Sequence, residues 1–145
     1  MIHVIMSGHG EISAGVMSAS NMIFGEQPGF EAVTFQKKDG LATLQMKFME
    51  LLNMVAPEDE VLFFVDIFGG TPYNAAAQVA YGKTNIEVIT GLSLPLVLEI
   101  LSRRETMGLK RLVEVLKDVN KDCLKVFSEE LKQAQKREKE EGDLL

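Results

Sequence analysis

Several residue types are scarce in this chain of 145 residues. Its one cysteine, Cys123, cannot form an intrachain disulfide, and the simplest compartment for such a chain is the reducing cytoplasm. Two histidines, His3 and His9, together with that cysteine, are too few for the usual ligand set of a zinc site. No apolar run approaches the roughly 20 residues that span a bilayer, and no signal peptide is visible. We therefore expect a cytoplasmic protein without a metal site or other bound cofactor.

Basic residues are also outnumbered. The chain has 15 lysines and arginines against 21 aspartates and glutamates, a net charge of −6 and a pI near 5.0. This balance argues against a nucleic acid or an anionic membrane as partner, since both call for a basic face. It leaves a basic protein partner open. The hydrophobic fraction of 46% is enough for one globular core.

Apolar runs of strand length alternate with segments whose apolar residues recur at helical spacing. Strands are predicted over residues 2–6, 30–35, 61–65 and 86–90. Helices are predicted after each of them, over about 12–24, 39–55, 72–81 and 95–103. This alternation predicts an α/β fold, a doubly wound and mainly parallel sheet with helices on both faces.

The last third of the chain departs from this alternation. A fifth helix is predicted over about 109–119, and residues 123–127 fit either a strand or a helix. From about residue 129 the chain is mostly Lys, Glu and Gln, which predicts a solvated, fraying end. We therefore expect one domain over residues 1–128 and a charged tail over 129–145.

His9 occupies a position that favours chemistry. It follows the first predicted strand in a Ser–Gly–His–Gly turn, just before the first predicted helix. In a parallel sheet such turns lie at the carboxyl edge of the strands, where ligands bind in open α/β folds. Gly8 and Gly10 leave the imidazole uncrowded.

A second segment, Asp66-Ile-Phe-Gly-Gly-Thr-Pro-Tyr-Asn, follows the most apolar strand. Gly69 and Gly70 form a flexible turn, Thr71 suits a helix N-cap and Pro72 suits the first helical position. Backbone N–H groups of glycine turns at a helix N-terminus bind phosphate. An ordinary capped turn explains the segment equally well.

Taken as a pair, His9 and Asp66 say more about function than either residue alone. The first and third strands of a doubly wound sheet are frequently adjacent, which would let the two side chains meet. A carboxylate that accepts from one imidazole nitrogen fixes the tautomer and leaves the other nitrogen as a nucleophile. The alternative is a pair that only satisfies two buried polar groups. The other histidine, His3, is expected to be a partly buried strand residue, and Cys123 a small apolar one.

Three segments together carry a family resemblance. They are the opening Ile-His-Val-Ile-Met-Ser-Gly-His-Gly, the central Leu-Phe-Phe-Val-Asp-Ile-Phe-Gly-Gly-Thr-Pro-Tyr-Asn and the later Glu-Val-Ile-Thr-Gly-Leu-Ser-Leu-Pro-Leu-Val-Leu-Glu. In this order and spacing they resemble the enzyme IIA (EIIA) component of mannose-family sugar phosphotransferase systems. The resemblance runs from residue 2 to about residue 104.

The resemblance implies a phosphocarrier. A histidine at the position of His9 would take a phosphoryl group from the histidine-containing phosphocarrier protein and pass it to a histidine of the IIB component. Asp66 would orient the imidazole, and the hydroxyl of Thr71, where some members carry serine, would lie beside the phosphate. Members of the family form homodimers that exchange a C-terminal strand.

The resemblance also implies that the protein contacts the membrane only indirectly, through the transporter complex. Since the sequence shows no IIB domain, we expect IIB to be a separate polypeptide.

Other functions stay open at this point. One alternative with the same fold is the phosphocarrier subunit of a dihydroxyacetone kinase, but the Gly-Gly-Thr-Pro-Tyr-Asn segment favours the sugar system, since the kinase subunit differs after its aspartate. A regulatory binding module switched by phosphorylation is an alternative from another class. A hydrolase with a His–Asp pair is a third, and it would need a pocket for a small substrate.

Overall fold

The computed structural model describes residues 1–143, which form a parallel sheet of four strands and six helices. The strands are β1 (Ile2–His9), β2 (Phe30–Phe35), β3 (Glu60–Val65) and β4 (Ile86–Ile89), in the order β2-β1-β3-β4. The helices are α1 (Ile12–Phe24), α2 (Leu41–Leu52), α3 (Thr71–Ala80), α4 (Leu94–Arg103), α5 (Leu109–Asn120) and α6 (Phe127–Asp143). All strand pairs are parallel, so the predicted α/β sheet is confirmed.

Helices cover both faces of the sheet. Neighbouring residues of a strand point to opposite faces, so Val4 and Met6 of β1 join one core cluster and Ile5 joins the other. The first cluster includes side chains of α1, α4 and α5, and the second includes those of α2 and α3. Phe63 and Phe64 of β3 are fully buried on opposite faces, which explains the continuous apolar run of that strand.

The first strand is longer than its apolar run predicts. The prediction ended β1 at Met6, whereas the strand continues to His9 and pairs with β2 as far as Phe35. Ser7 is fully buried in this extension, and its hydroxyl donates to the carbonyl of Val33 at 2.8 Å. A satisfied polar side chain therefore continues the strand, and His9 is its last residue.

The start of α2 also differs by one residue. Asp39 was the predicted N-cap, but Gly40 occupies that position. The carboxylate of Asp39 instead accepts from the backbone N–H of Gln36 at 2.9 Å, which closes a turn before the helix. A short acidic side chain accepts hydrogen bonds in a turn as readily as at a helix N-cap. The sequence alone therefore could not show which of these two roles Asp39 has.

The C-terminal region forms a helix where a fraying end was predicted. Within the described residues, 121–126 form neither strand nor helix, and α6 follows from Phe127. Lys, Glu, Gln, Ala and Arg have high helix propensity, which explains a helix without a buried face. The expectation of a solvated segment holds, because nearly all its described residues are exposed. The division at residue 128 stays a prediction.

None of the helices within residues 1–143 is long and apolar enough to cross a membrane.

Candidate functional site

His9 and Asp66 meet at the carboxyl edge of the sheet. The pairing of β1 with β3 places Ser7 opposite Val65, so the residues that follow emerge side by side. One carboxylate oxygen, Oδ2 of Asp66, lies 2.8 Å from Nδ1 of His9 and also accepts the backbone N–H of His9 at 2.9 Å. The side-chain meeting that the sequence predicts is thus present in the structure.

The Asp66 carboxylate is held in its ionised form. Burial by itself raises the pKa of Asp66, since the side chain is only 11% exposed. Hydrogen bonds from the His9 backbone, the His9 ring and the Ile67 backbone outweigh burial and leave the pKa below its usual value. An ionised carboxylate only accepts hydrogen bonds, so Nδ1 of His9 must carry the proton in this pair.

The other ring nitrogen of His9, Nε2, is available for chemistry. Among residues 1–143 no hydrogen-bond partner engages it, and the side chain is 49% exposed. The ring also packs edge-on against Phe35, with centroids 5.5 Å apart and planes at 89°. The carboxylate and the phenyl ring together restrict the imidazole orientation, and Nε2 has no hydrogen-bond partner within the described residues.

Two glycines make room for this arrangement. A Cβ at Gly8 would lie 2.4 Å from Ile12 Cγ2 and 3.0 Å from the carboxyl carbon of Asp66. A Cβ at Gly70 would lie 3.0 Å from Cε1 of His9. The 2.4 Å contact excludes a side chain at position 8 unless Ile12 moves, and the 3.0 Å contacts would push Asp66 or the His9 ring aside by a few tenths of an ångström. Glycine at both positions therefore permits the close packing around the pair.

The glycine turn and the N-terminus of α3 lie beside the ring. Gly69 has φ +82°, a left-handed conformation that favours glycine, and its carbonyl accepts the side-chain amide of Asn74 at 3.2 Å. Gly70 is the N-cap and Thr71 the first helical residue, so the predicted cap at Thr71 is wrong by one position. The backbone N–H groups of the first turn lack intrahelical acceptors, as at every helix N-terminus.

A cleft of about 760 Å³ opens next to the His9 ring. Its lining residues are His9, Gly10, Phe35, Gln36, Lys37 and Lys38. The β3–α3 loop also exposes two neighbouring apolar side chains, since Ile67 and Phe68 are 56% and 77% exposed. This combination of open cleft and exposed apolar side chains suits a macromolecular partner.

Residues 1–143 contain no cluster of three or more histidine, cysteine, aspartate or glutamate side chains that could hold a metal ion. His3 lies at the start of β1, away from the site, with Nε2 3.0 Å from the carboxylate of Asp59. It is partly buried, as predicted. Cys123 packs against the core as a small partly buried residue, again as predicted.

Sequence reasoning missed Phe35 and Asn74 as parts of the site. Phe35 was assigned only to the end of β2, and its contact with His9 depends on the pairing of β1 with β2. Asn74 was included in the glycine segment without a role. Asn74 lies four residues after the N-cap of α3. That position is the one sequence signal for a hydrogen bond from its side chain back to the glycine turn.

Comparison with known proteins gives a consistent result. The profile of the EIIA-man family, described as PTS system fructose IIA component, matches residues 3–117. The chain is 46% identical over 131 residues to the fructose-specific EIIA component of Bacillus subtilis, covering 90% of both chains. It is 30% identical over 130 residues to the sorbose-specific EIIA component of Lacticaseibacillus casei, covering 90% of this chain and 94% of that protein.

Solved structures show the same fold. The phosphotransferase system component EIIA from Streptococcus agalactiae superposes with a TM-score of 0.81 at 24% identity, covering 88% of this chain and 98% of that one. The mannose/sorbose-specific IIA subunit from Enterococcus faecalis gives a TM-score of 0.76 at 22% identity, covering 86% and 92%.

Proposed function

The chain belongs to the EIIA-man family of sugar phosphotransferase system components, and from this premise we propose that His9 is the residue that carries the phosphoryl group. Phosphoryl transfer is the task of an EIIA component. The observation that supports His9 is the 2.8 Å contact between its Nδ1 and Oδ2 of Asp66, which leaves Nε2 free at the carboxyl edge. Relatives named as sugar-specific components favour the sugar system over the dihydroxyacetone kinase subunit.

In the proposed reaction the donor is the histidine-containing phosphocarrier protein, carrying a phosphohistidine. The Nε2 lone pair of His9 attacks phosphorus, and the N–P bond of the donor breaks with its electron pair returning to the donor imidazole. The imidazole of His9 becomes positively charged when Nε2 is phosphorylated and Nδ1 keeps its proton. Asp66 stabilises that charge through a charge-assisted hydrogen bond. A histidine of the IIB component then removes the group by the same displacement.

The phosphate-binding part of the site is proposed to be Gly69, Gly70 and Thr71. Gly70 lies against the His9 ring, so the start of α3 is close to any group attached to that ring. Free N–H groups and the helix dipole favour a dianion there by roughly 0.3–2 kcal/mol. The Thr71 hydroxyl, on the first residue of the helix, would add one hydrogen bond.

The test is phosphorylation with purified components. The chain is incubated with phosphoenolpyruvate, enzyme I and the phosphocarrier protein, and the acid-labile phosphate is mapped by mass spectrometry. We expect label on His9, none in His9→Ala, and full labelling in His3→Ala, which removes the distant histidine. Label on another residue, or undiminished labelling of His9→Ala, would refute the assignment.

We also propose a homodimer in which residues after Asn120 pair with a second copy. Leu124 and Phe127 are 87% and 80% exposed, which is costly for a monomer in water. Within residues 1–143 strand β4 has a neighbour on one side only. A groove of about 360 Å³, lined in part by Val88 and Ile89, lies beside this strand. An exchanged antiparallel strand would fill the groove and protect the edge. The protein would act in the cytoplasm and reach the membrane through its transporter complex.

A further inference from the structure

The charged residues of the cleft next to His9 are two lysines, Lys37 and Lys38. Both follow β2 and are exposed, and neither forms an ion pair within the described part of the chain. The next lysine along, Lys47, differs in that its ammonium group lies 4.0 Å from the carboxylate of Asp39. Lys37 and Lys38 therefore bring two positive charges to the cleft, and neither is neutralised by an ion pair within the described residues.

The loop that carries these lysines is tied to the segment after His9. The backbone N–H of Gly10 donates to the carbonyl of Phe35 at 2.7 Å. The side-chain amide of Gln36 donates to the carboxylate of Glu11, also at 2.7 Å. These two bonds connect the end of β2 and the residue that follows it to Gly10 and Glu11, which come directly after His9. The segment that leads to the lysines is therefore held beside the His9 turn.

Phosphorylation of His9 creates an electrostatic problem. A phosphoryl group adds about 1.5–2 negative charges to a chain whose net charge is already −6. The nearest carboxylate, that of Asp66, is ionised and lies at the other ring nitrogen. Positive charge at the open side of the ring would offset both, and Lys37 and Lys38 are the cleft residues that can supply it.

We propose that Lys37 and Lys38 stabilise the phosphoryl group on His9. They thereby shift the equilibrium of phosphoryl transfer from the donor toward His9. This inference depends on the proposed role of His9. The transfer remains the displacement described above: one N–P bond forms at Nε2 as the donor N–P bond breaks, and no other reactant is consumed. The lysines stabilise the terminal oxygens of the phosphoryl group and exchange no proton with them.

The discriminating quantity is the equilibrium constant between phosphorylated donor and phosphorylated His9. A partner-docking role for the lysines would change the rate in both directions and leave this constant unchanged. Stabilisation of the phosphoryl group changes the constant itself. We would equilibrate the full chain with phosphorylated phosphocarrier protein after removing enzyme I, and quantify both phosphoproteins by intact-mass spectrometry.

Three double variants make the comparison. Lys37→Gln/Lys38→Gln removes the two charges from the cleft. Lys37→Arg/Lys38→Arg keeps them. Lys83→Gln/Lys110→Gln makes the same change in net charge at exposed positions at the opposite edge of the sheet, before β4 and at the start of α5.

The cleft Gln variant should lower the equilibrium constant about tenfold, the sum of two solvent-exposed charge interactions, whereas the Arg and distant variants stay within about twofold of wild type. Raising the ionic strength from about 0.1 M to about 1 M shortens the Debye length from ~10 Å to ~3 Å and should shrink the difference. An unchanged constant with slower transfer would overturn the inference in favour of docking. Wild-type protein unlabelled at His9 would overturn the proposed function, and this inference with it.

Discussion

Gly70 lies directly against the His9 imidazole, so closely that a Cβ at position 70 would stand 3.0 Å from the ring carbon Cε1. Asp66 contacts the ring nitrogen Nδ1, and Phe35 packs against the ring at nearly a right angle. Three contacts, two from the β3–α3 loop and one from the end of β2, thus define the orientation of one side chain.

Gly70→Ala should displace the ring and slow phosphoryl transfer to His9 by between about tenfold and a hundredfold, since small misplacements of a nucleophile carry costs of this size. The variant should remain folded, because position 70 is not in the core. Gly15→Ala is the matched control, as a Cβ there meets nothing within 4 Å. Rapid-quench kinetics would measure both. Wild-type rates in Gly70→Ala would show that the ring tolerates the contact.

Asp66→Ala should slow transfer without unfolding the protein. The variant loses a charge-assisted hydrogen bond, which is worth roughly 1.5–3 kcal/mol. Since about 1.4 kcal/mol corresponds to a tenfold rate, the loss is one to two orders of magnitude. The same kinetic assay applies, with circular dichroism to establish that the variant is folded. A folded Asp66→Ala protein with normal transfer rates would contradict a role in orientation.

The free energy of unfolding should fall in acid as Asp66 loses its charge. Its folded pKa is lower than its unfolded one, so its ionised form stabilises the fold fully above the unfolded pKa. This contribution disappears as the pH falls through the lowered folded value. Urea unfolding of wild type and Asp66→Asn should therefore show the larger difference at pH 7, about 1.5–3 kcal/mol, and a smaller one near pH 3. A difference that grows in acid would have the wrong sign.

Thr71→Val should reduce transfer several-fold while keeping the shape of the side chain. The variant removes one hydrogen bond to the phosphoryl group, worth roughly 0.5–1.5 kcal/mol, or more because the acceptor is charged. Thr71→Ser retains the hydroxyl and should transfer at close to the wild-type rate. Equal rates for the Val and Ser variants would exclude a role for the hydroxyl and leave the backbone N–H groups as the phosphate ligands.

If the proposed homodimer forms, removal of the chain after Asn120 should convert it to a monomer. The deletion removes Leu124 and Phe127 together with α6, and leaves every β–α unit and helix α5 intact. Light scattering at micromolar concentration would compare the truncated and full-length proteins. A full-length monomer would refute the dimer, and a truncated dimer would locate the contact elsewhere.

The pattern of apolar residues was sufficient to predict four strands, five of the six helices and the class of the sheet. Helix and strand ends were harder. Asp39 and Thr71 are good capping residues, yet glycines that precede helices occupy both N-cap positions. Capping by glycine leaves no side-chain signal, because the preference rests on backbone conformation alone.

Contacts between elements that are distant in the chain were even harder to predict from the sequence. The meeting of His9 with Asp66 could be predicted, because both follow strands that are commonly adjacent. The packing of Phe35 on the ring and the fit of Gly8 against Ile12 depend on register and side-chain direction, which the sequence does not specify by itself. The helix after residue 126 was missed because a charged segment without an apolar stripe gives no periodic signal.

The adjacency of β1 and β3 makes the site a reporter of folding. His9 and Asp66 are separated by 57 positions, and the intervening chain forms a complete crossover through β2. Their contact requires β3 to have docked on β1, whereas β4 and the helices after it contribute neither residue. Phosphate incorporation that depends on Asp66 would therefore mark, in a refolding time course or on a nascent chain, the moment at which the central strands come together.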